Sequence, residues 1–222
     1  LEPAAVIVEI LNDDGTMARR DELIEFARRH ELKIGTIADL IKYRLEKEES
    51  VEAIGELDVE TAFGKFRMVC FEDHVNRTVH LALVRGRMDP DTPTLVRVHR
   101  QETLADVIGV RHPRLGWPLR DAMRLIAEHD HGVIVLLRQE ESPRELMRVF
   151  RTLAEDSGEV AARREKAMDL RTIGTGAQVL RALGVRRMRV LSAPKNMHGL
   201  SGFGLEVVEY VSASKERNAG NG

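Results

Sequence analysis

Glu9 lies inside VIVEIL, residues 6–11, an apolar run that ends in the polar turn Asn12-Asp13-Asp14-Gly15. A carboxylate at a strand exit stands where open α/β sheets place their chemistry. By pattern alone it fits equally well as a solvated residue of an edge strand. Asp13 and Asp14 have the chemistry of metal ligands, but acids in a tight turn more often bond their own backbone. His99, Glu102 and His112 offer a second set of donors, with two surface histidines and a solvated acid as the plainer reading. EHDHG, residues 128–132, has the look of a metal cluster and reads better as the polar end of a helix. Gly174-Thr175-Gly176, placed before a short helix, resembles a phosphate nest, although a lone GxG is a weak signal.

The elements that must position these groups follow from periodicity. Val6, Val8 and Ile10 alternate with Ile7, Glu9 and Leu11, as in a strand. RDELIEFARRH then reads as a helix with its basic residues near the end, where the helix dipole favours them. Leu32-Lys33-Ile34 is a short strand, and Thr36 with Asp39 forms a capping box before TIADLIKYRL. Three strand-like runs follow: VEAIGELDVET, FGKFRMVCFED and TVHLALVRG. Gly64 and DHVN separate them, as in an antiparallel meander. TLVRVHRQ is a fourth strand, a helix covers Pro118–Ala127, and GVIVLLR is a strand buried on both faces. SPRELMRVFRTLAE opens with a serine cap and a proline in the first turn. GAQVLRALG is a short helix closed by Gly184, RRMRVLS is a strand, and GLEVVEYV closes the sheet. The fold class is therefore α/β, in a mixed α+β arrangement.

The chain has 222 residues, enough for one large domain or two small ones. Its 34 Lys+Arg against 36 Asp+Glu leave no basic footprint for nucleic acid and no compositional case for binding an acidic membrane. No apolar run approaches the length of a membrane span. Cys70 is the single cysteine, so no internal disulfide can form, which fits a reducing cytoplasm. The sequence opens on a strand without a methionine, and the expectation is a chain that continues upstream.

AAVIVEILNDDGTMARR followed by TIADLIKYR resembles the C-terminal end of 3,4-dihydroxy-2-butanone 4-phosphate synthase over roughly residues 3–45. From about residue 56 to 211 the chain is similar to GTP cyclohydrolase II. The pieces that carry this are TAFGKFRMVCFED, HLALVRG, LVRVHRQETLADVIG, DLRTIGTGAQVLRALGV and LSGFGLEVVEYV. The resemblance implies a synthase end at residues 1–47, a linker at 48–55, a cyclohydrolase-like domain at 56–212 and a polar tail at 213–222.

For the synthase end, the resemblance gives Glu9 the catalytic role. The reaction converts ribulose 5-phosphate to the butanone phosphate and formate, with magnesium held by residues outside this chain. A carboxylate near a divalent metal is what proton movement through an enediolate requires.

For the cyclohydrolase-like end, the resemblance places three zinc-binding cysteines at positions occupied here by Glu102, Pro113 and Leu115. Proline and leucine offer a metal no ligand atom, and such a site uses thiolates. The family's glycine and arginine of the phosphate loop are replaced by Glu141 and Ser142, and its tyrosine before the Asp-x-Arg motif has no counterpart. Asp169 and Arg171 keep that motif, with an ion pair at a helix start as the alternative. Ser192 and Lys195 stand near a family threonine and lysine that serve the nucleotide. No zinc is expected.

Two readings stay open. One is a magnesium-dependent synthase with an appended module that does not hydrolyse GTP. The other makes this chain a binding, regulatory or dimerisation module for a nucleotide or flavin. An active cyclohydrolase is the weaker third. A cytoplasmic homodimer is the expected setting.

Overall fold

The computed structural model describes residues 4–37, 39–40, 43–44, 48–112, 115–138, 141–154, 170–194 and 200–211. The chain divides into two compact units, Leu1–Leu40 and Ile41–Gly222. The tail at 213–222 lies outside the described residues.

In the first unit the expected strand at residues 6–11 has no ladder partner among the described residues. Its end folds back through a single antiparallel bridge between Leu11 and Met17, closed by the Ala18 N–H to the Ile10 carbonyl at 2.9 Å. Val6 and Ile7 are more than 90% exposed. The β-branched alternation favours extended backbone, but a strand needs a second edge to bond. Leu32-Lys33-Ile34 likewise forms no strand. Asp14 is a turn former, its carboxylate taking the Thr16 N–H at 2.9 Å and the Thr16 hydroxyl at 2.6 Å. Helix α1, Arg20–Arg29, begins with the Glu22 carboxylate on the Arg19 N–H. Thr36 and Asp39 bond as a cap, with the Asp39 N–H donating to Thr36 Oγ1 at 3.0 Å.

The second unit is built on one mixed seven-stranded sheet in the order β1-β2-β3-β5-β4-β6-β7. The strands are β1 Val51–Thr61, β2 Gly64–Asp73, β3 Thr78–Arg85, β4 Thr94–Arg100, β5 Gly132–Leu137, β6 Arg187–Leu191 and β7 Glu206–Val211. The first three form the expected meander, with β3 antiparallel to β5. The other pairings, β4 with β5, β4 with β6 and β6 with β7, are parallel. β1 starts at Val51, inside the segment expected to be a linker. The charged run before it carries no apolar period, yet Val51, Glu52 and Ala53 extend the pairing with β2 as far as Asp73, with a bulge at Ile54.

Helices α2, Leu119–His129, and α4, Leu170–Ala182, cover opposite faces of the sheet. Ala122, Leu125 and Ile126 of α2 pack with Leu95, Ile134 and Leu191. Ala177, Val179 and Leu180 of α4 pack with Val96, Val133, Val135 and Val190 on the other face. β5 is buried on both sides, which is why it reads as an unbroken apolar run. Helix α3, Pro143–Ala154, opens with Ser142, whose hydroxyl accepts the Glu145 N–H at 3.3 Å.

Gly132 begins β5 where the backbone of β4 is close: a Cβ there would stand 2.7 Å from the Leu95 carbonyl oxygen and 3.0 Å from Ile126. Gly132→Ala is expected to lower unfolding free energy by about 1–3 kcal/mol, the usual cost of overpacking, read as a shift of the urea midpoint.

Candidate functional site

In β4, Leu95, Arg97 and His99 fall on one face because strand side chains alternate. That face is the α2 side. Arg97 is half-buried, and burial pulls its guanidinium down to about 10, partly offset by the Asp106 and Glu102 charges. One guanidinium nitrogen donates to the Leu191 carbonyl at 2.9 Å, at the end of β6. The other donates to the Trp117 carbonyl at 3.0 Å and lies 3.4 Å from His99 Nδ1. The Trp117 indole in turn donates to the Val211 carbonyl at 3.2 Å, at the end of β7.

Since Arg97 only donates, His99 Nδ1 is the acceptor of that contact, and Nε2 lies 2.8 Å from Asp106 Oδ2. The same oxygen takes the Glu102 N–H at 2.8 Å. Asp106 sits in a single π-helical turn, Thr103–Val107. Burial pushes the Asp106 carboxyl upward, but the His99 bond and charge and the backbone N–H bonds outweigh it, so the net shift is down.

A second acid–histidine pair lies on the α4 face at the same end of the sheet. Asp73 ends β2, and its carboxylate accepts the N–H groups of Val75 and Asn76 and the Asn76 side-chain amide at 2.7–3.0 Å. His80 Nε2 is 3.5 Å from Asp73 Oδ2, and His80 Nδ1 accepts the Arg138 N–H at 3.2 Å. Thr175 of α4 donates to the same Asp73 oxygen at 3.5 Å. Burial lowers the His80 pKa, against the raising effect of Asp73. Asp73 is raised by burial and lowered more by its hydrogen bonds and His80.

The two pairs flank the carboxyl ends of β4 and β5. The chain leaves β4 toward α2 on one face and reaches α4 on the other after β5. Adjacent parallel strands whose connections part in this way open a crevice at their carboxyl ends. At these strand ends lie Arg100, Glu102 and Thr103 from β4 onward and Arg138 and Glu141 after β5. Glu141 Oε2 accepts the Thr103 N–H at 3.2 Å, joining the two sides.

The sequence-derived candidates fall unevenly on this frame. Ser192 follows β6 at the same sheet end, buried, its hydroxyl donating to the Ala193 carbonyl at 2.8 Å. Arg171 is in the first turn of α4, while Asp169, Lys195 and Pro113 lie outside the described residues. Gly174-Thr175-Gly176 is not a nest before a helix. It lies inside α4, where Gly176 brings the helix against Val98, 3.1 Å from where a Cβ would stand. His99 is not a surface histidine but a buried one. His129 ends α2 as expected of EHDHG, and Asp130 in the left-handed region bonds Arg85 Nε at 2.9 Å. Glu9 is exposed.

At the expected zinc positions, Glu102 is half-buried and 3.9 Å from Arg100, and Leu115 closes a tight turn by donating its N–H to the His112 carbonyl at 3.0 Å. Among the described residues no group of three or more His, Cys, Asp or Glu is placed to hold a metal ion. The donor chemistry does not fit a thiolate zinc site. Sequence reasoning missed Arg97, Asp106, Asp73 and His80. Their signal was a charged or polar residue set into an apolar alternation, at Arg97 and His99 in LVRVH and at His80 in TVHLALV.

The GTP cyclohydrolase II family model matches residues 28–212. The chain belongs to the GTP cyclohydrolase II family. The model for 3,4-dihydroxy-2-butanone 4-phosphate synthase matches residues 1–43, so this member carries the end of a synthase domain ahead of its cyclohydrolase II domain. A protein named 3,4-dihydroxy-2-butanone 4-phosphate synthase from Photobacterium phosphoreum is 45% identical over 95% of this chain and 57% of its own length. One of the same name from Pseudomonas aeruginosa is 46% identical over 96% of this chain and 57% of its own. The riboflavin biosynthesis protein RibBA of Parabacteroides distasonis is 40% identical across 100% of this chain and 56% of its own length. Among solved structures, RibBX, a two-domain 3,4-dihydroxy-2-butanone 4-phosphate synthase from A. baumannii, aligns with a TM-score of 0.66 at 34% identity. That alignment covers 91% of this chain and 52% of that one. The chain spans a little over half the length of the curated relatives it matches.

The lowered His80 pKa gives this cyclohydrolase II family domain a signed pH dependence. Below the ordinary value of 6.5 the unfolded chain binds the proton first, so His80 takes stability away as pH falls from there through its lower folded value. Asp73 and Asp106 repeat this below 3.8. The melting temperature is expected to fall between about pH 7 and pH 5, and to fall less in His80→Gln, as read by circular dichroism.

Proposed function

We propose that the whole protein is a 3,4-dihydroxy-2-butanone 4-phosphate synthase of riboflavin biosynthesis, converting ribulose 5-phosphate to 3,4-dihydroxy-2-butanone 4-phosphate and formate. Its cyclohydrolase II domain is a module that does not hydrolyse GTP. The observation that carries this reading is the synthase name on relatives that match both parts of the chain at 45% and 46% identity. The side chains at the zinc positions support the second half, because neither Glu102 nor Leu115 supplies a thiolate. The apolar run around Glu9 supports the first, since an exposed β-branched alternation asks for a sheet edge that the described residues do not provide.

In this reading Glu9 moves protons on the sugar phosphate at the exit of that strand. Magnesium, held by residues outside this chain, stabilises the enediolate when bound. The enzyme works as a cytoplasmic homodimer. In the module, Ser192, Arg171, Asp169 and Lys195 are remnants of a nucleotide site.

A second reading concerns this chain alone: a binding, regulatory or dimerisation module whose strand-end crevice takes a nucleotide or a flavin. The two flanking acid–histidine pairs favour it, because buried charge networks fix the shape of a crevice without any need for chemistry there.

In the complete protein, Glu9→Gln is expected to cut synthase turnover by roughly 100-fold or more, the scale of a lost general acid–base group, with an unchanged circular dichroism spectrum. A rate equal to that of the parent would remove Glu9 from the mechanism. GTP incubated with saturating zinc or magnesium should yield no formate. Formate release would refute the non-hydrolysing reading and make the domain an active cyclohydrolase.

A further inference from the structure

Three side chains of α4 meet the segment that leads into β1 and the end of β2 beside it. Thr175, Gln178 and Arg181 recur at helical i, i+3 spacing and so share one side of the helix. Thr175 meets Asp73 at the end of β2. The Gln178 side-chain oxygen accepts both the N–H and the hydroxyl of Ser50, at 2.9 and 3.1 Å. Its amide nitrogen donates to the Glu48 carbonyl at 3.1 Å. Arg181 stands 3.8 Å from the Glu49 carboxylate. The Ser50 carbonyl is held as well, accepting the His74 N–H at 3.0 Å. All of these groups belong to the second unit.

The residue type at 178 follows from what it must satisfy. Ser50 presents donors and Glu48 a carbonyl, so the side chain between them must both accept and donate. A neutral amide does both, a carboxylate only accepts, and an apolar chain does neither. Gln178 is buried, where leaving a partner unmet is costly. The Arg181–Glu49 pair is different, since both side chains are exposed and such pairs contribute little. We propose that Gln178 is a clasp: it holds Glu48–Ser50 on α4 and fixes the point at which the chain enters the second unit. The match to the synthase family ends at residue 43, so the clasp closes shortly after it, on a run whose composition reads as a loose tether. Its opening is a local event, in which Glu48–Ser50 leaves α4 while the sheet stays folded. The clasp needs neither GTP nor any other ligand, so its test stands apart from the proposed function.

Glutamyl endopeptidase, applied to the protein carrying the whole chain, reads this opening through cleavage after Glu48 and Glu49, followed by mass spectrometry. Gln178→Met keeps the length of the side chain and removes all three bonds. Cleavage there should be roughly tenfold faster or more, the scale of hydrogen bonds lost at a buried group. Gln178→Glu keeps an acceptor for Ser50 but turns another toward the Glu48 carbonyl, so it should fall between Gln178→Met and the parent. Arg181→Ala should stay within about twofold of the parent, as an exposed pair allows. Melting curves distinguish local opening from global unfolding, and Gln178→Glu decides the matter if Gln178→Met does not fold. Cleavage no faster in the folded Gln178 variants than in the parent would overturn the proposal. Loss of the fold in both would overturn it too, by making Gln178 a member of the core. An Arg181→Ala effect as large as that of Gln178→Met would move the hold to the ion pair, with the same consequence.

Discussion

A guanidinium set into the middle of the sheet is the constraint from which the second unit is organised. Arg97 stands in the middle of β4, the central parallel strand, where an ion of its size costs several kcal/mol to desolvate. Part of that cost is met by its partners, although Arg97 Nε and Asp106 Oδ1 are buried without a hydrogen bond among the described residues. Two carbonyls, from the ends of β6 and of the loop before α2, take its N–H groups, and Asp106 supplies the countercharge. Asp106 needs donors in its turn and finds them in His99 and the Glu102 main chain. Each compensation calls up the next, until the ends of β4, β6 and β7 are tied to Glu102, Asp106 and Trp117. Removing any member leaves another buried and unpaired, which is the expensive event.

The same logic explains why this connection holds its shape with no thiolates in it. A loop that is long for its span needs something to restrict it. Metal coordination is one solution, and a buried carboxylate collecting a histidine and a main-chain N–H is another. Here the π-helical turn Thr103–Val107 places Asp106 under the strand it follows, and Trp117 anchors the far end through Val211. Of the expected zinc positions, Leu115 stands in a tight turn and Glu102 is half-buried facing Arg100. Nothing in the packing asks them to converge.

Much of the sheet could be read from the residues, because its strands advertise themselves locally. The meander from Val51 to Arg85 is three alternating runs separated by Gly64 and a polar turn, and neighbouring runs pair. β5 announces burial on both faces by having no polar residue at all. What was not legible is what depends on partners distant in sequence. Gly174-Thr175-Gly176 looks like a phosphate loop to local inspection. Only the packing of α4 on Val98 shows that its glycines serve close approach of helix to sheet. His99 looked like a surface residue because histidine usually is one. Its burial follows from Arg97 and Asp106, residues whose meaning lies in each other.

The first unit shows the complementary limit. Alternation at residues 6–11 identifies which side chains would share a face of a strand. It does not say where the second edge lies, and backbone hydrogen bonding, not alternation, turns an extended segment into a strand. With one bridge, between Leu11 and Met17, the run keeps its direction and loses its ladder. Periodicity therefore establishes the orientation of a side chain such as Glu9 before it establishes its surroundings. The two acid–histidine pairs are the converse case. No period points to Asp73 or Asp106, both of which lie at the ends of elements. Each nevertheless gathers a histidine and main-chain N–H groups, because a buried carboxylate needs donors.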